Sequence, residues 1–376
     1  MKNILITGGA GFIGSNLALH LIEKGFTITV LDNLSKQIHG DDQDSSLYKS
    51  IKNKVTFIKG DVRNLADWET ALKDQHAVIH LAAETGTGQS MYEVQRYVDV
   101  NVNGTAILLD YLVNKDHSIR KVVVASSRAI YGEGKYNCSQ HGAVFPDERI
   151  EKHLEKGDFE PKCPVCQQTV QLEPTDESSK IHPSSIYGIT KQNQEQMVLN
   201  ICQSLDIAAA AFRYQNVYGP GQSLKNPYTG ILSIFSTQIR NGNDLNIFED
   251  GQESRDFVYI DDVVHATTLA IENNEVTQKV YNVGSGEATT VLEVAETLKE
   301  LYDSSIAITV TGNYRLGDIR HNYADNSRIE NELGFKPKFN FKKGVTEFAK
   351  WVKTEAIEED RYAKSIEEMK KKGLFK

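Results

Sequence analysis

The stretch SSIYGITK places a phenol, Tyr187, four residues before an amine, Lys191. On a helix, positions i and i+4 share one face. A positive charge beside a phenol favours the phenolate, and a cationic cofactor ring would add to it, so the tyrosine pKa is expected to fall from about 10 toward neutrality. Such a group can take a proton from a hydroxyl. Upstream, VVVASSRAIYG reads as a strand running into a loop that carries Ser126 and Ser127. Open α/β sheets bind ligands at the carboxyl ends of their strands, so one of these serines can hydrogen-bond the reacting oxygen. A lone Tyr-x-x-x-Lys is common on helix surfaces. Its weight here comes from the serine loop and from a glycine turn far away in the chain.

That turn lies in ILITGGAGFIGSNLALHLIEKGF, a strand, a glycine loop and an amphipathic helix. Gly8, Gly11 and Gly14 stand where a side chain would block close approach to a pyrophosphate, which the helix N-terminus would face with unpaired N–H groups. Asp32 ends the next strand, 18 residues after Gly14, about the spacing of a ribose-diol ligand. A carboxylate there repels a 2′-phosphate, so NAD is expected rather than NADP. Asp61, in FIKGDVRN, ends a third strand. It can receive an adenine amino group, or serve as a turn residue or helix cap. Asn101, in DVNVNGT, can hold a strand end against the cofactor or cap a helix.

A frame must bring these residues together. The chain has 376 residues, enough for two domains, with 40% apolar and 25% charged residues, as in soluble globular proteins. A net charge of −9 argues against a general nucleic-acid binder. No stretch approaches the ~20 apolar residues that span a membrane. The first apolar run is broken by Thr7-Gly8-Gly9 and does not read as a signal peptide. With four cysteines, a reducing cytoplasm is expected. The runs NILIT, TITVLDN, VTFIKGD, AVIHLAA, KVVVASS and AAAFRY alternate with amphipathic stretches. That pattern predicts a Rossmann-type, doubly wound parallel sheet over residues 1–215. Residues 216–355 are expected to form a smaller mixed α/β substrate-binding domain, with parts of 255–285 returning to the first core. Residues 356–376 read as a charged helical tail on the surface.

With these motifs in view, the chain resembles the extended short-chain dehydrogenase/reductase family, in its sugar-nucleotide epimerase and dehydratase branch, over residues 1–352. The likeness rests on TGGAGFIG, the Asp32-Asn33-Leu34 strand end, HLAA at 80–83, SSRAIYG, YGITK, FRYQNVYGPGQ, RDFVYIDDV and RLGDIRHNYAD. It implies a tightly bound NAD on Gly8, Gly11, Phe12, Ile13, Gly14, Asp32, Asn33, Asp61, Val62, Leu81, Ala82, Ala83, Asn101, Tyr187 and Lys191. It implies Ser127 as the catalytic hydroxyl, four residues before Tyr131 of a Tyr-Gly pair, and Tyr187 as acid/base. Lys191 would hold both Tyr187 and the nicotinamide ribose. Asn216, Arg255 and Arg315 would grip the diphosphate of a nucleotide sugar, with Asp318 beside them; arginine forks match phosphate oxygens. Asn246 and Phe248 would line the base pocket, and Glu84 would face the sugar. A homodimer packed through helices near 91–114 and 187–205 is implied as well.

Family members that dehydrate their sugar carry an Asp-Glu pair just after the catalytic hydroxyl. Here Arg128 and Ala129 stand there, so the expectation is 4-epimerisation through a transient 4-keto sugar. AAETGTGQSMYEVQRYVDVN, KNPYTGILSIF and IFEDGQESRDFVYIDDV give a narrower resemblance to the dTDP-L-rhamnose 4-epimerase group, implying the dTDP-L-rhamnose / dTDP-6-deoxy-L-talose pair. A UDP-sugar 4-epimerase, another epimerase such as a 2-epimerase, or a reductase of the same branch are the alternatives. A non-catalytic NAD(H)-sensing protein is a further one, against which the intact Ser127, Tyr187 and Lys191 count.

Residues 135–180 form an insert between YGEG and HPSSIYG. It carries Cys138-x-x-His141 and, after 21 intervening residues, Cys163-x-x-Cys166. Two such knuckles fit a zinc-ribbon-like, tetrahedral Cys₃His zinc site. An unmetallated loop and a redox pair are the other readings, though Pro161 and the acidic loop before CPVC argue against redox. The insert is polar, and a metal would supply folding energy that burial cannot. A closed shell of four ligands makes such a zinc structural. The dTDP-L-rhamnose 4-epimerase group shares these CxxH and CPxC pairs, and Gln167 stands where it usually has Gly. Because the insert joins the Ser127 loop to the Tyr187 helix, it is expected to wall or lid the sugar.

Overall fold

A computed structural model describes residues 2–40, 45–228 and 230–376. Seven short runs of β-branched and small residues become parallel strands: β1 (Asn3–Thr7), β2 (Thr27–Asp32), β3 (Thr56–Lys59), β4 (Ala77–His80), β5 (Lys121–Ser127), β6 (Ala208–Tyr214) and β7 (Lys279–Val283). Their order across the sheet is β7-β6-β5-β4-β1-β2-β3. The chain starts at β1, walks one way to β3, then returns to β4 on the other side of β1. That reversal leaves a crevice at the carboxyl ends of β1 and β4, where open α/β sheets hold their ligands.

The central strands have no solvent face, and every residue of β4 and β5 is buried. On one face α1 (Phe12–Glu23) places Leu17, Ala18 and Leu21 against the sheet, beside Val263, Ala266 and Ala270 of the helix Ile260–Glu272. On the other, Leu108 and Leu112 of α2 (Gly104–Asn114) meet Val198 and Cys202 of α3 (Ile186–Ser204). Burial pushes the Cys202 thiol up to about 12, as suits a core cysteine.

After β6 the chain leaves the sheet and returns at β7, which pairs parallel with β6. The excursion and the residues after β7 build the second side of the crevice. Its frame is three small sheets, in which Asn216–Tyr218 pairs with Phe257–Tyr259, Leu245–Ile247 with Ile308–Val310, and Ser254–Arg255 with both Thr289–Thr290 and His321–Asn322. The insert is an antiparallel sheet of Tyr136–Cys138 with Gly142–Val144 and Gln171–Leu172. Among the described residues no helix is long and apolar enough to cross a membrane.

Candidate active site

One cavity of about 570 Å³ fills the crevice, lined from the glycine turn across Ser127, Tyr187 and Lys191 to Arg255 and Arg315. Its first end is a phosphate cradle. Gly11 caps α1 without a side chain, and the first helical bond runs from Ser15 N–H to Gly11 O. The N–H groups of Phe12, Ile13 and Gly14 therefore have no carbonyl within the helix to bond. A Cβ on Gly14 would lie 2.4 Å from Gly8 O, so only glycine lets the helix close so tightly on the turn. Asp32 lines the cavity, its oxygens accepting Ala10 N–H at 3.0 Å and Leu34 N–H at 2.8 Å. Each oxygen keeps a second lone pair for a ribose hydroxyl. Asn33, Val62, Leu81, Ala82 and Ala83 line the same end. The residues present fit a dinucleotide with a free 2′-hydroxyl.

Two expected cofactor ligands, Asp61 and Asn101, are not in the cavity lining. Asp61 is outside the cavity lining, its carboxylate held by Arg63 Nε at 2.9 Å, Arg63 Nη2 at 2.8 Å and Asn33 Nδ2 at 3.0 Å. The bonds from Arg63 hold its pKa down to about 2. Asn101 is fully buried behind the cavity, accepting Glu84 N–H at 2.7 Å and donating to Glu84 O and to Thr190 Oγ1. It fastens the loop after β4 to α3, the strand-holding role rather than the helix-cap one.

The reactive group sits where β5 and α3 meet. Ser185 caps α3 by accepting Gly188 N–H, which puts Tyr187 in the first turn. A Cβ on Gly188 would lie 2.5 Å from Ala129 O, so this glycine allows α3 to approach the serine loop. Tyr187 shares the cavity lining with Ser127 and packs edge-on against Tyr97 at 6.4 Å. Ser127 Oγ also accepts Ala129 N–H at 3.1 Å, whereas Ser126 Oγ is buried without a partner among the described residues.

The protein's own groups do not by themselves produce the expected shift. Burial raises the Tyr187 pKa, and the Ser127 hydroxyl and the charge of Arg128 only partly oppose it. Burial also brings Lys191 down to about 7. Protein groups alone do not draw this phenol toward neutrality. Lys191 Nζ donates to Gln194 Oε1 at 2.7 Å. From Gln194 a buried chain runs through Thr105 Oγ1 at 2.8 Å, His80 Nε2 at 3.0 Å, and His80 Nδ1 to Thr7 Oγ1 at 2.7 Å. It links the amine to the strand that carries the glycine turn, and no sequence motif announced it.

The far end of the cavity is an anion site. Arg255 lines it, but Nη1 donates to Ser254 O and Arg320 O, and Nη2 to Asp318 Oδ1 and Ile319 O. With its fork spent on the protein, Arg255 is a fixed charge rather than a bidentate clamp. Arg315 is different: its Nε is buried without a partner among the described residues, and its guanidinium lies 4.8 Å over the Phe248 ring. Phe248 thus supports Arg315 as well as lining the cavity. Arg128, used in the sequence only to exclude dehydration, supplies a third cation; its Nε donates to Asn216 Oδ1 at 2.9 Å, and burial lowers it to about 9. Asp318 sits among these arginines, whose charges outweigh burial and hold its carboxyl low. Asn246 lies on the cavity wall, and Glu84 lines it with Oε2 on Arg96 at 2.8 Å.

The insert brings its four soft ligands together. The donor atoms of Cys138, His141, Cys163 and Cys166 all lie within 4.8 Å of one another. Cys138 Sγ is 3.7 Å from Cys166 Sγ and 3.4 Å from His141 Nδ1. Tetrahedral zinc with bonds of ~2.3 Å to sulfur and ~2.0 Å to nitrogen spaces its ligands by roughly 3.5–3.8 Å. Gln167 takes φ 59°, the left-handed backbone that glycine adopts freely. The expected lid role is not met, since no residue of 135–180 lines the cavity. The insert braces it from behind: Arg149 donates to Asp318 O at 2.9 Å, and Glu160 accepts from the fully buried Arg320 at 2.7 Å.

Residues 4–155 and 157–284 match the model of the NAD dependent epimerase/dehydratase family. The chain is 36% identical, over 94% of its length and 96% of the relative's, to dTDP-L-rhamnose 4-epimerase of Burkholderia thailandensis. It is 30% identical, over 93% and 98%, to a putative UDP-glucose 4-epimerase of Methanocaldococcus jannaschii. Among solved structures, UDP-glucose 4-epimerase of Thermotoga maritima with UDP-glucose superposes with a TM-score of 0.74 at 28% identity, covering 94% of this chain and 99% of that one. The Thermus thermophilus UDP-glucose 4-epimerase in complex with NAD also has a TM-score of 0.74, at 25% identity over 94% and 100%. With the family model matched across most of its length, the chain belongs to the NAD dependent epimerase/dehydratase family.

Proposed function

We propose that this enzyme, an NAD-dependent nucleotide-sugar epimerase, inverts C4 of a dTDP-6-deoxy-L-hexose of the rhamnose/talose pair. The observation that carries the reaction class is that Ser127 and Tyr187 share one cavity with a dinucleotide cradle on one side and three arginines on the other. The Burkholderia relative favours the dTDP-sugar; the Methanocaldococcus relative favours a UDP-sugar as second reading.

In this reading the glycine turn and the α1 N-terminus hold the pyrophosphate of NAD, and Asp32 its adenosine ribose. Bound NAD⁺ supplies a reversible two-electron acceptor and a positive ring charge. Tyr187 takes the proton of the C4 hydroxyl, and Ser127 orients that oxygen. Ser127 and Arg128 oppose part of the burial that disfavours phenolate, and the ring charge of NAD⁺ would oppose the rest. Once the 4-keto sugar has turned its other face, Tyr187 returns the proton to the oxygen. Arg315 and Asn216 hold the diphosphate, so the sugar turns about a fixed anchor. Arg128 and Ala129 offer no carboxylate for eliminating water, which leaves epimerisation as the outcome.

The test is incubation with dTDP-, UDP-, GDP- and CDP-sugars without added NADH, with inversion at C4 read by NMR. Tyr187→Phe is expected to keep its NAD and lose about 10²–10⁴-fold in turnover. Unchanged turnover in that variant, or inversion of no nucleotide sugar by the unaltered protein, overturns the assignment.

The proposal extends to a structural zinc on Cys138, His141, Cys163 and Cys166, supported by their spacing. It extends to a homodimer through the helices near 91–114 and α3, supported by Val94, Val98 and Ile189, apolar yet 43%, 42% and 42% exposed. Free thiols at all four cysteines suit a cytoplasmic enzyme.

A further inference from the structure

The C-terminal residues 356–376 were expected to lie on the surface as a charged helix. The structure does form a helix, α4 (Tyr362–Lys371), but Tyr362 and Met369 line the main cavity. Tyr362, Ser365 and Met369 stand at i, i+3 and i+7, one face of the helix, and the last two are buried. Lys364, Glu367 and Lys371 face solvent. A charged segment with this narrow apolar stripe is built to cover something.

The tail is fastened on both banks of the crevice. On the substrate side, Tyr228 OH donates to Glu368 Oε2 at 2.9 Å, and Tyr314 N–H donates to Lys376 O at 2.9 Å. Phe375 packs on Phe248 at 4.9 Å, the ring that carries Arg315. On the dinucleotide side, the Met369 thioether lies against Gly88, and Lys372 sits 4.9 Å over the Tyr92 ring. Its exit is pinned where Arg240 donates to Val352 O at 2.7 Å and Glu355 O at 2.8 Å. The Tyr362 phenol stands in the same cavity lining as Arg315, whose Nε is the buried donor without a partner among the described residues. A phenol O–H beside that donor, with Arg128 and Arg255 near, is a neutral hydrogen-bond donor placed in an anion site.

We propose that Tyr362 is a substrate-binding residue whose hydroxyl, together with Arg315, holds the diphosphate of the nucleotide sugar, and that residues 362–376 form the outer wall of that subsite. This rests on the nucleotide-sugar reading above. A diphosphate seated there exchanges bulk water for charge-assisted bonds, and the tail excludes water from them. The tail thereby joins substrate affinity to the closure of the two banks.

The test titrates dTDP and UDP into the full-length protein by calorimetry and compares Tyr362→Phe, which removes one oxygen. The variant is expected to keep its NAD and its thermal midpoint while Kd rises about tenfold, the scale of one hydrogen bond to a charged group. In hydrogen exchange on the unaltered protein, amides of 362–375 are expected to slow when dTDP is saturating. A change in Kd below about threefold, or no slowing in the tail, overturns the proposal while leaving the epimerase reading intact. Failure of the unaltered protein to bind either diphosphate overturns both.

Discussion

At the scale of residues, the site is governed by burial. Tyr187 and Lys191 are four residues apart as the motif requires, yet burial moves both away from their charged forms. His80 shows the same force in a group that titrates within reach of experiment. It is fully buried between Thr7 and Thr105, and burial, with Lys191 nearby, lowers its pKa from 6.5 to about 3. Between those values the unfolded chain binds a proton that the native chain refuses, so stability falls as pH falls. The loss from this one site approaches about 1.4 kcal/mol per pH unit in mid-window. Urea unfolding at pH 4 to 7 should show a shallower slope for His80→Asn than for the unaltered protein. Equal slopes would place the proton elsewhere.

At the scale of elements, the insert is the informative one. Its own core is small, Tyr136, Cys138, Val144, Cys163 and Val170. A cluster of that size does not pay the entropy of ordering about 45 residues, so four ligands on one ion are the natural remedy. Metal analysis of purified protein should find about one zinc per chain, and Cys163→Ser should abolish it and lower the thermal midpoint. Because Arg149 and Glu160 brace the segment bearing Asp318 and Arg320, that variant should also raise KM for the nucleotide sugar with NAD content unchanged. A metal-free protein with full stability would remove the zinc. An unchanged KM in a zinc-free variant would remove the brace.

At the scale of the molecule, the strand order decides where chemistry occurs. The reversal between β1 and β4 opens one crevice, and the excursion after β6 closes its far side. The exposed Val94, Val98 and Ile189 lie outside that crevice, on helices at the back of the sheet. A chain mass of 42.1 kDa makes the proposed dimer easy to tell from a monomer by weight. Val98→Glu with Ile189→Glu is expected to halve the mass seen by sedimentation while leaving NAD in place. Retention of the larger mass would assign the contact to another face.

Local and periodic features were legible in the sequence alone: the parallel strands, the glycine turn, the Tyr-Lys pair and the paired cysteine knuckles. Each depends on a few neighbouring residues whose backbone and spacing obey short-range rules, so linear order suffices. The sequence also determined what Arg128 and Ala129 cannot do, because a missing carboxylate needs no coordinates. Only the tertiary structure decided that Asp61 belongs to Arg63, that Asn101 fastens the loop of Glu84, and that the Arg255 fork is spent on carbonyls. It alone put His80 behind Lys191, the insert behind the cavity rather than over it, and Tyr362 in the anion site. These outcomes depend on desolvation and on partners up to hundreds of residues away, and neither quantity exists until the chain has folded.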